Sequence, residues 1–87
     1  MSIQTFVVNN FQENTYIYSD FDSREAVIID PGAYYEYEFE HIKNFIDSNK
    51  LIPKCILLTH GHIDHILGVN YFRQLYNIKS YLHAGDK

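Results

Sequence analysis

Residues 57–68, LLTHGHIDHILG, place four potential metal ligands within six positions: His60, His62, Asp64 and His65. His60 and His62 lie two residues apart at the end of an apolar run, so in an extended chain their side chains point to the same side. Gly61 between them has no Cβ and permits a sharp bend. Asp64 and His65 lie where a helical pattern begins, and we expect them to aim at a second point nearby. Imidazole and carboxylate donors without thiolate favour a catalytic, water-accessible site for Zn²⁺, Fe²⁺ or Mn²⁺.

A simpler interpretation of the same stretch needs no metal. Asp64 would cap the helix that follows it, since Asp is favoured at helix N-termini, and the histidines would be ordinary polar loop residues. That interpretation suits a single histidine better than four donors together. In a chain with five His, a chance H-x-H-x-D-H spacing is on the order of one in a thousand. The cluster therefore indicates a metal site.

The segments before this stretch predict three strands and a helix. The strands cover residues 3–8, 15–19 and 26–30, which are rich in β-branched and aromatic residues and are separated by polar turns. Pro31-Gly32 ends the third strand. Residues 36–49 carry apolar side chains at helical spacing, with charged residues outside that face.

The remaining segments complete the order β-β-β-α-β-α-β. Pro53 ends the first helical segment, and residues 54–59 form a buried strand. Residues 65–76 predict a second helix, with Leu67, Tyr71 and Leu75 four apart, and residues 79–83 a last strand. Because the later strands alternate with helices, they should pair in parallel through crossovers. The prediction is one mixed sheet and two helices, an α+β arrangement.

Composition and charge narrow the classes of function. The chain has 87 residues, of which 46% are hydrophobic and 16% aromatic, which argues against disorder and suggests a piece of a larger core. The net charge is −4 and the seven basic residues are scattered, so we expect a small-molecule substrate and no nucleic acid. Cys55 is the only cysteine, and no secretory leader or membrane-spanning stretch is recognisable. We therefore expect a cytoplasmic protein with no membrane contact.

The segment THGHIDHILG (59–68) resembles the H-x-H-x-D-H signature of the metallo-β-lactamase superfamily. NTYIY (14–18) and AVIIDPG (26–32) resemble the corresponding segments of its hydroxyacylglutathione hydrolase (glyoxalase II)-like branch. The resemblance covers essentially all 87 residues. It implies an αββα sandwich of two sheets, in which residues 1–87 would be the N-terminal part, about half, of a single domain.

The resemblance also implies roles for individual residues. His60 and His62 would bind a first zinc ion, and Asp64 and His65 a second, with Fe or Mn as alternatives. In the family a metal-bound water or hydroxide attacks the substrate, and the residue matching Asp64 orients it. Asp30 has two open interpretations: a carboxylate that bonds its own turn, or a group beneath the metal site that helps hold the ligand loop.

Five further aromatic or titratable positions are weaker candidates for the site. His83 is expected to line its rim without binding metal, and His41 to face solvent on the first helix. Tyr34, Tyr35 and Tyr37 follow the Asp-Pro-Gly turn and either border a pocket or pack on the surface.

The expected function is hydrolysis of a thioester such as a hydroxyacylglutathione by a zinc-dependent enzyme. The family's later metal ligands, two histidines and a bridging aspartate, have no match in residues 66–87. We therefore expect a fragment that is inactive alone. The alternatives are a nuclease of the same superfamily, a persulfide dioxygenase with a single iron, and, for the isolated chain, a non-catalytic metal-binding or interaction module.

The expected partner is a second copy of the chain or the C-terminal half of the domain. Two helices can cover only one face of the predicted sheet, and its other face is strongly apolar. A bare patch of several hundred Å² is more than soluble monomers usually expose. Two-fold self-association, sheet face on sheet face, would cover it.

Overall fold

The computed structural model describes residues 2–8, 13–33, 35–59 and 66–82. Within these ranges the chain forms five strands and two helices in the order predicted from the sequence. The strands are β1 (Ser2–Val8), β2 (Glu13–Ser19), β3 (Glu25–Ile29), β4 (Ile52–Leu58) and β5 (Lys79–Leu82). The helices are α1 (Glu36–Ser48), between β3 and β4, and α2 (Ile66–Tyr76), between β4 and β5.

The five strands form one mixed sheet in the order β1-β2-β3-β4-β5. β1, β2 and β3 are antiparallel neighbours, and β3, β4 and β5 are parallel. The antiparallel pairs need only short turns, whereas a parallel pair needs a crossover, here a helix. In the β2–β3 turn, Arg24 adopts a positive φ of 63° and donates its N–H to the Asp20 carbonyl over 2.8 Å.

The core lies between the helices and one face of the sheet. Alternate strand residues point to opposite faces, and the buried set includes Ile17, Ile28 and Ile56 at 0–1% exposure. Ile42 and Ile46 of α1 are also at 0%. The opposite face carries half-buried apolar side chains on β2, β3 and β4, and no described element packs on it.

The two helices contact each other through aromatic rings. Phe39 of α1 stacks on Tyr71 of α2 with centroids 4.4 Å apart, and it meets Phe72 edge-on at 6.1 Å. Phe72 is fully buried and Val69 is 8% exposed, whereas Leu75 is 41% exposed. The buried face of α2 is therefore centred on Phe72, and the 67–71–75 spacing in the sequence does not define it.

One local feature differs from the sequence prediction, and a second was not predicted. β4 begins at Ile52, so Pro53 lies inside the strand that it was expected to precede. The register of β3 and β4 shifts between Ala26 and Val27, next to the Ala26–Pro53 pair, and such an irregularity accommodates a residue that has no N–H. Glu38 is buried at 6% because its carboxylate accepts the Tyr35 N–H over 3.0 Å at the start of α1.

Candidate functional site

Asp30 is the first residue after β3, and its carboxylate reaches across to the end of β4. The Asp30 N–H still donates to the Leu57 carbonyl over 3.0 Å, but its φ of 51° turns the chain out of the sheet. Asp30 Oδ1 accepts the backbone N–H of Thr59 over 2.8 Å, and Oδ2 accepts the Thr59 hydroxyl over 2.5 Å. Hydrogen bonds to a carboxylate are among the stronger ones in proteins. Asp30 thus fixes the residue directly before His60.

Thr15 of β2 holds the turn that carries Asp30. Its hydroxyl donates to the Asp30 carbonyl over 2.8 Å and accepts the Gly32 N–H over 3.1 Å. Thr15 is completely buried and Asp30 is 5% exposed. Because one hydroxyl bridges two backbone groups of the segment 30–32, the segment has a defined conformation.

Gly68, in the first turn of α2, lies against the same segment. A Cβ at Gly68 would stand 2.0 Å from the Pro31 carbonyl oxygen and 2.8 Å from its carbon, closer than atoms can approach. Only a residue without a Cβ permits this contact between the helix and the backbone. The start of α2 is therefore docked on the Asp30–Gly32 turn.

In the sequence, the four predicted metal ligands lie between Thr59 and Gly68. His60, His62, Asp64 and His65 fall outside the described residues, so their convergence on a common space stays a prediction. Thr59 before them is bonded to Asp30, and Gly68 after them touches Pro31. The described residues that flank the predicted ligand segment, Thr59 and Gly68, thus both contact one buried turn. Elsewhere in the described ranges, no group of three or more His, Cys, Asp or Glu is arranged to hold a metal ion.

The two interpretations of Asp30 differ in where its carboxylate bonds. A turn carboxylate would accept from N–H groups one or two residues away, as Asp20 does from the Asp22 N–H at 3.2 Å. The described partners of the Asp30 carboxylate are both on Thr59, 29 positions along the chain. This geometry is the one that a loop-holding role requires, and the role toward a metal stays a prediction.

The weaker candidates lie around α1 or outside the described residues. His41 is exposed, as expected, and meets the ring of Tyr37 edge-on at 5.9 Å. Tyr35 and Tyr37 stack on each other at 5.8 Å, and Tyr37 is 57% exposed. These contacts are ring packing at the surface of α1. Tyr34 and His83 fall outside the described residues.

Sequence reasoning missed Thr15, Thr59 and Gly68. Each is a common residue type at an unremarkable position, and its importance comes only from contacts with residues 30–32, distant in sequence. The sole available signal was that Thr59 directly precedes the first histidine of the cluster.

No helix in the described ranges is long and apolar enough to cross a membrane.

Comparison with known proteins gives consistent findings. A family model for the metallo-beta-lactamase superfamily matches residues 8–87. An uncharacterized protein of Mycobacterium leprae is 34% identical over 87 residues, covering 100% of this chain and 38% of that protein. A hydroxyacylglutathione hydrolase of Francisella tularensis subsp. tularensis is 37% identical over 87 residues, 99% of this chain and 32% of that enzyme. The crystal structure of BLEG-1, a B3 metallo-beta-lactamase, superposes with a TM-score of 0.81 at 34% identity, over 97% of this chain and 38% of that one. The chain thus spans less than two fifths of the length of each.

Proposed function

The chain belongs to the metallo-β-lactamase superfamily, and from this premise we propose that the full-length protein is a metal-dependent hydrolase of thioesters such as a hydroxyacylglutathione. The similarity to a hydroxyacylglutathione hydrolase over nearly the whole chain supports the substrate class. The observation that carries the proposal is the anchoring of Thr59 by Asp30, directly before the His60–His65 donors. A buried carboxylate that fixes the residue before this segment is expected where the position of the segment matters for catalysis.

The donor set of the segment fits a pair of zinc ions. We propose that His60 and His62 hold one ion and that Asp64 and His65 hold the other, because imidazole and carboxylate without thiolate are typical of catalytic zinc. Bound zinc would lower the pKa of water toward neutrality and polarise the substrate carbonyl. Two donors per ion are fewer than the usual three, so further ligands must come from elsewhere in the full-length protein or from a partner.

The residues of this chain contribute position and orientation. Asp30 and Thr59 set where the segment begins, while Pro31 and Gly68 set where α2 takes the chain away. Asp64 is the proposed catalytic residue, because a carboxylate can accept a hydrogen bond from the attacking water and so orient it toward the carbonyl. Mutation of a group that orients a metal ligand commonly lowers metal affinity or activity 10- to 100-fold.

Hydrolysis of a β-lactam is a second candidate. It is supported by the similarity to BLEG-1, whose described role is that of a B3 metallo-beta-lactamase and which matches this fold at a TM-score of 0.81. The two reactions share attack on an activated acyl carbon and differ in the leaving group, which is a thiolate for the thioester and the ring nitrogen for the β-lactam. The described residues contain no contact that selects one of them.

The test is an assay of the full-length protein with zinc on both substrate classes. We expect turnover of S-lactoylglutathione to exceed that of a chromogenic cephalosporin, and the Asp64→Ala variant to lose it. Asp22→Ala, a change of equal charge at an exposed position of the β2–β3 turn, is the matched control and should be fully active. Preferential β-lactam turnover would support the second candidate, and an active Asp64→Ala variant would refute the role of Asp64. The 87-residue chain alone should show no turnover.

A further inference from the structure

β1 is an unprotected edge of the sheet. Among the described strands it pairs only with β2, so the backbone N–H and C=O groups on its other side have no strand partner in the described ranges. Edge strands are usually guarded by charged residues, proline or a bulge. The sequence SIQTFVV of β1 has no charged residue and no proline, and its register with β2 is continuous from Ser2 to Val8. Residues 2–8 of β1 therefore carry none of these three guards.

Contacts near both ends of β1 fix it to the rest of the domain. The Ser2 hydroxyl lies 3.2 Å from the Ser19 hydroxyl at one end of β1. Near the other end, Phe6 packs edge-on against Phe45 of α1 with centroids 5.7 Å apart, and Val8 is only 2% exposed. A strand fixed to the domain in this way loses little conformational freedom when a second strand pairs with it.

The side chains of β1 are arranged symmetrically about Thr5. Ile3 and Val7 lie two residues to either side of it, on the face of the sheet away from the helices, and are 60% and 64% exposed. If two copies of β1 pair antiparallel around Thr5, each Ile3 faces Val7 of the second copy, and the two Thr5 residues face each other. Such cross-strand pairs of β-branched side chains are favourable.

We propose that β1 is the docking site for a second copy of this chain, pairing antiparallel about a two-fold axis at Thr5 and joining two sheets into one. The charge distribution supports this occupant, because the chain has a net charge of −4 and yet β1 brings no like charges together. The contact is distinct from the face-to-face association expected from the sequence. A strand pair buries less than the roughly 1,200–2,000 Å² of stable interfaces, so the dimer should dissociate on dilution.

The first test is sedimentation velocity over a range of concentrations, with circular dichroism to check folding. The wild-type protein should shift from monomer to dimer as its concentration rises. Thr5→Lys sets two like charges against each other at the axis and should weaken association at least tenfold, whereas the uncharged Thr5→Val should preserve it. A wild type that stays monomeric throughout overturns the proposal.

The matched control is Tyr81→Lys, at the opposite edge of the sheet. Register places Thr5, Tyr16, Ile29, Leu57 and Tyr81 in one row across the same face, and Tyr81 is 53% exposed. Tyr81→Lys should leave the edge-to-edge dimer intact. If it disrupts association as much as Thr5→Lys does, the copies meet face to face and the proposal is wrong.

A cross-link gives an independent readout if Thr5→Lys fails to fold. In a Cys55→Ser background, Thr5→Cys should form a disulfide between copies on mild oxidation, because facing residues of antiparallel strands have Cα atoms about 4.5–5.5 Å apart. Gln4→Cys should form no such disulfide, because residue 4 of one copy lies two positions along the strand from residue 4 of the second copy. Equal cross-linking of the two variants excludes an axis at Thr5.

Discussion

At the residue scale, the Thr15 hydroxyl bridges two backbone groups of the turn that carries Asp30, by bonds of 2.8 and 3.1 Å. Thr15→Val keeps the shape of the side chain and removes both bonds. Each is buried, so we expect the free energy of unfolding to fall by about 1–3 kcal/mol. Thr15→Ser keeps the hydroxyl and should lose less. Urea unfolding of the three proteins measures this. A Thr15→Val variant as stable as wild type, beside a less stable Thr15→Ser variant, would show that the methyl group matters and the hydroxyl does not.

Gly68 is the second residue on which the geometry of this turn depends. Alanine favours a helix over glycine by about 1 kcal/mol, but here its Cβ would stand 2.0 Å from the Pro31 oxygen. We expect the clash to dominate, so that Gly68→Ala lowers the free energy of unfolding by about 1–3 kcal/mol, the usual cost of overpacking. Asn70→Ala, at an exposed position of the same helix, is the control and should be neutral or slightly stabilising. A stable Gly68→Ala protein would mean that α2 moves away from the turn at little cost.

At the scale of elements, periodicity in the sequence predicts all seven described helices and strands, with bounds within one or two residues. Helical spacing identifies the buried face of α1 because Ile42 and Ile46 are strong, isolated signals. Helical spacing does not identify the buried face of α2, because aromatic residues lie on several sides of this helix. The buried face is defined only by the tertiary contact between Phe39 and Phe72. The placement of Pro53 also depends on the register of β3 and β4, a non-local property that no single segment encodes.

The contact between the two helices leads to a prediction about pH. The Tyr76 hydroxyl is buried and has no hydrogen-bond partner among the described residues. Burial, with a smaller contribution from the nearby Asp47 and Tyr71, raises the pKa of Tyr76 from 10.0 to about 12. The folded state therefore holds this proton more tightly than the unfolded state, and the unfolding free energy should fall as pH rises from about 10 to about 12.

Tyr76→Phe isolates this effect, because the other tyrosines and the lysines titrate in both proteins. At pH 7 the variant should be more stable than wild type by about 1 kcal/mol, since a buried hydroxyl without a partner is removed. The stability difference should widen at pH 11. Unfolding curves at pH 7, 9 and 11 measure it, and a constant difference across that range would contradict the pKa assignment.

At the scale of the whole molecule, the candidate site divides into a part visible in the sequence and a part that folding creates. The four predicted donors in residues 60–65 form a dense local motif, so sequence alone is enough to predict them. The groups around the residues that flank this motif, on β2, directly after β3 and on α2, are single residues from three separate segments. These residues come into contact only when the chain folds. The sequence therefore left two interpretations of Asp30 open and gave no indication of a role for Thr15 or Gly68.

This division leads to a prediction about metal binding by the whole chain. If the Asp30 turn positions residues 60–65, Asp30→Ala should weaken zinc binding about tenfold or more, although Asp30 is not itself a proposed ligand. Zinc should bind wild type only weakly, because the chain offers few donors for each ion. Asp30→Asn, which keeps one acceptor and tolerates the positive φ, should fall between the two. Calorimetric titration of zinc into folded protein measures the affinities, with Asp22→Ala as the control of equal charge. If folded Asp30→Ala binds zinc as wild type does, the histidines and Asp64 take up their positions independently of the turn beneath them.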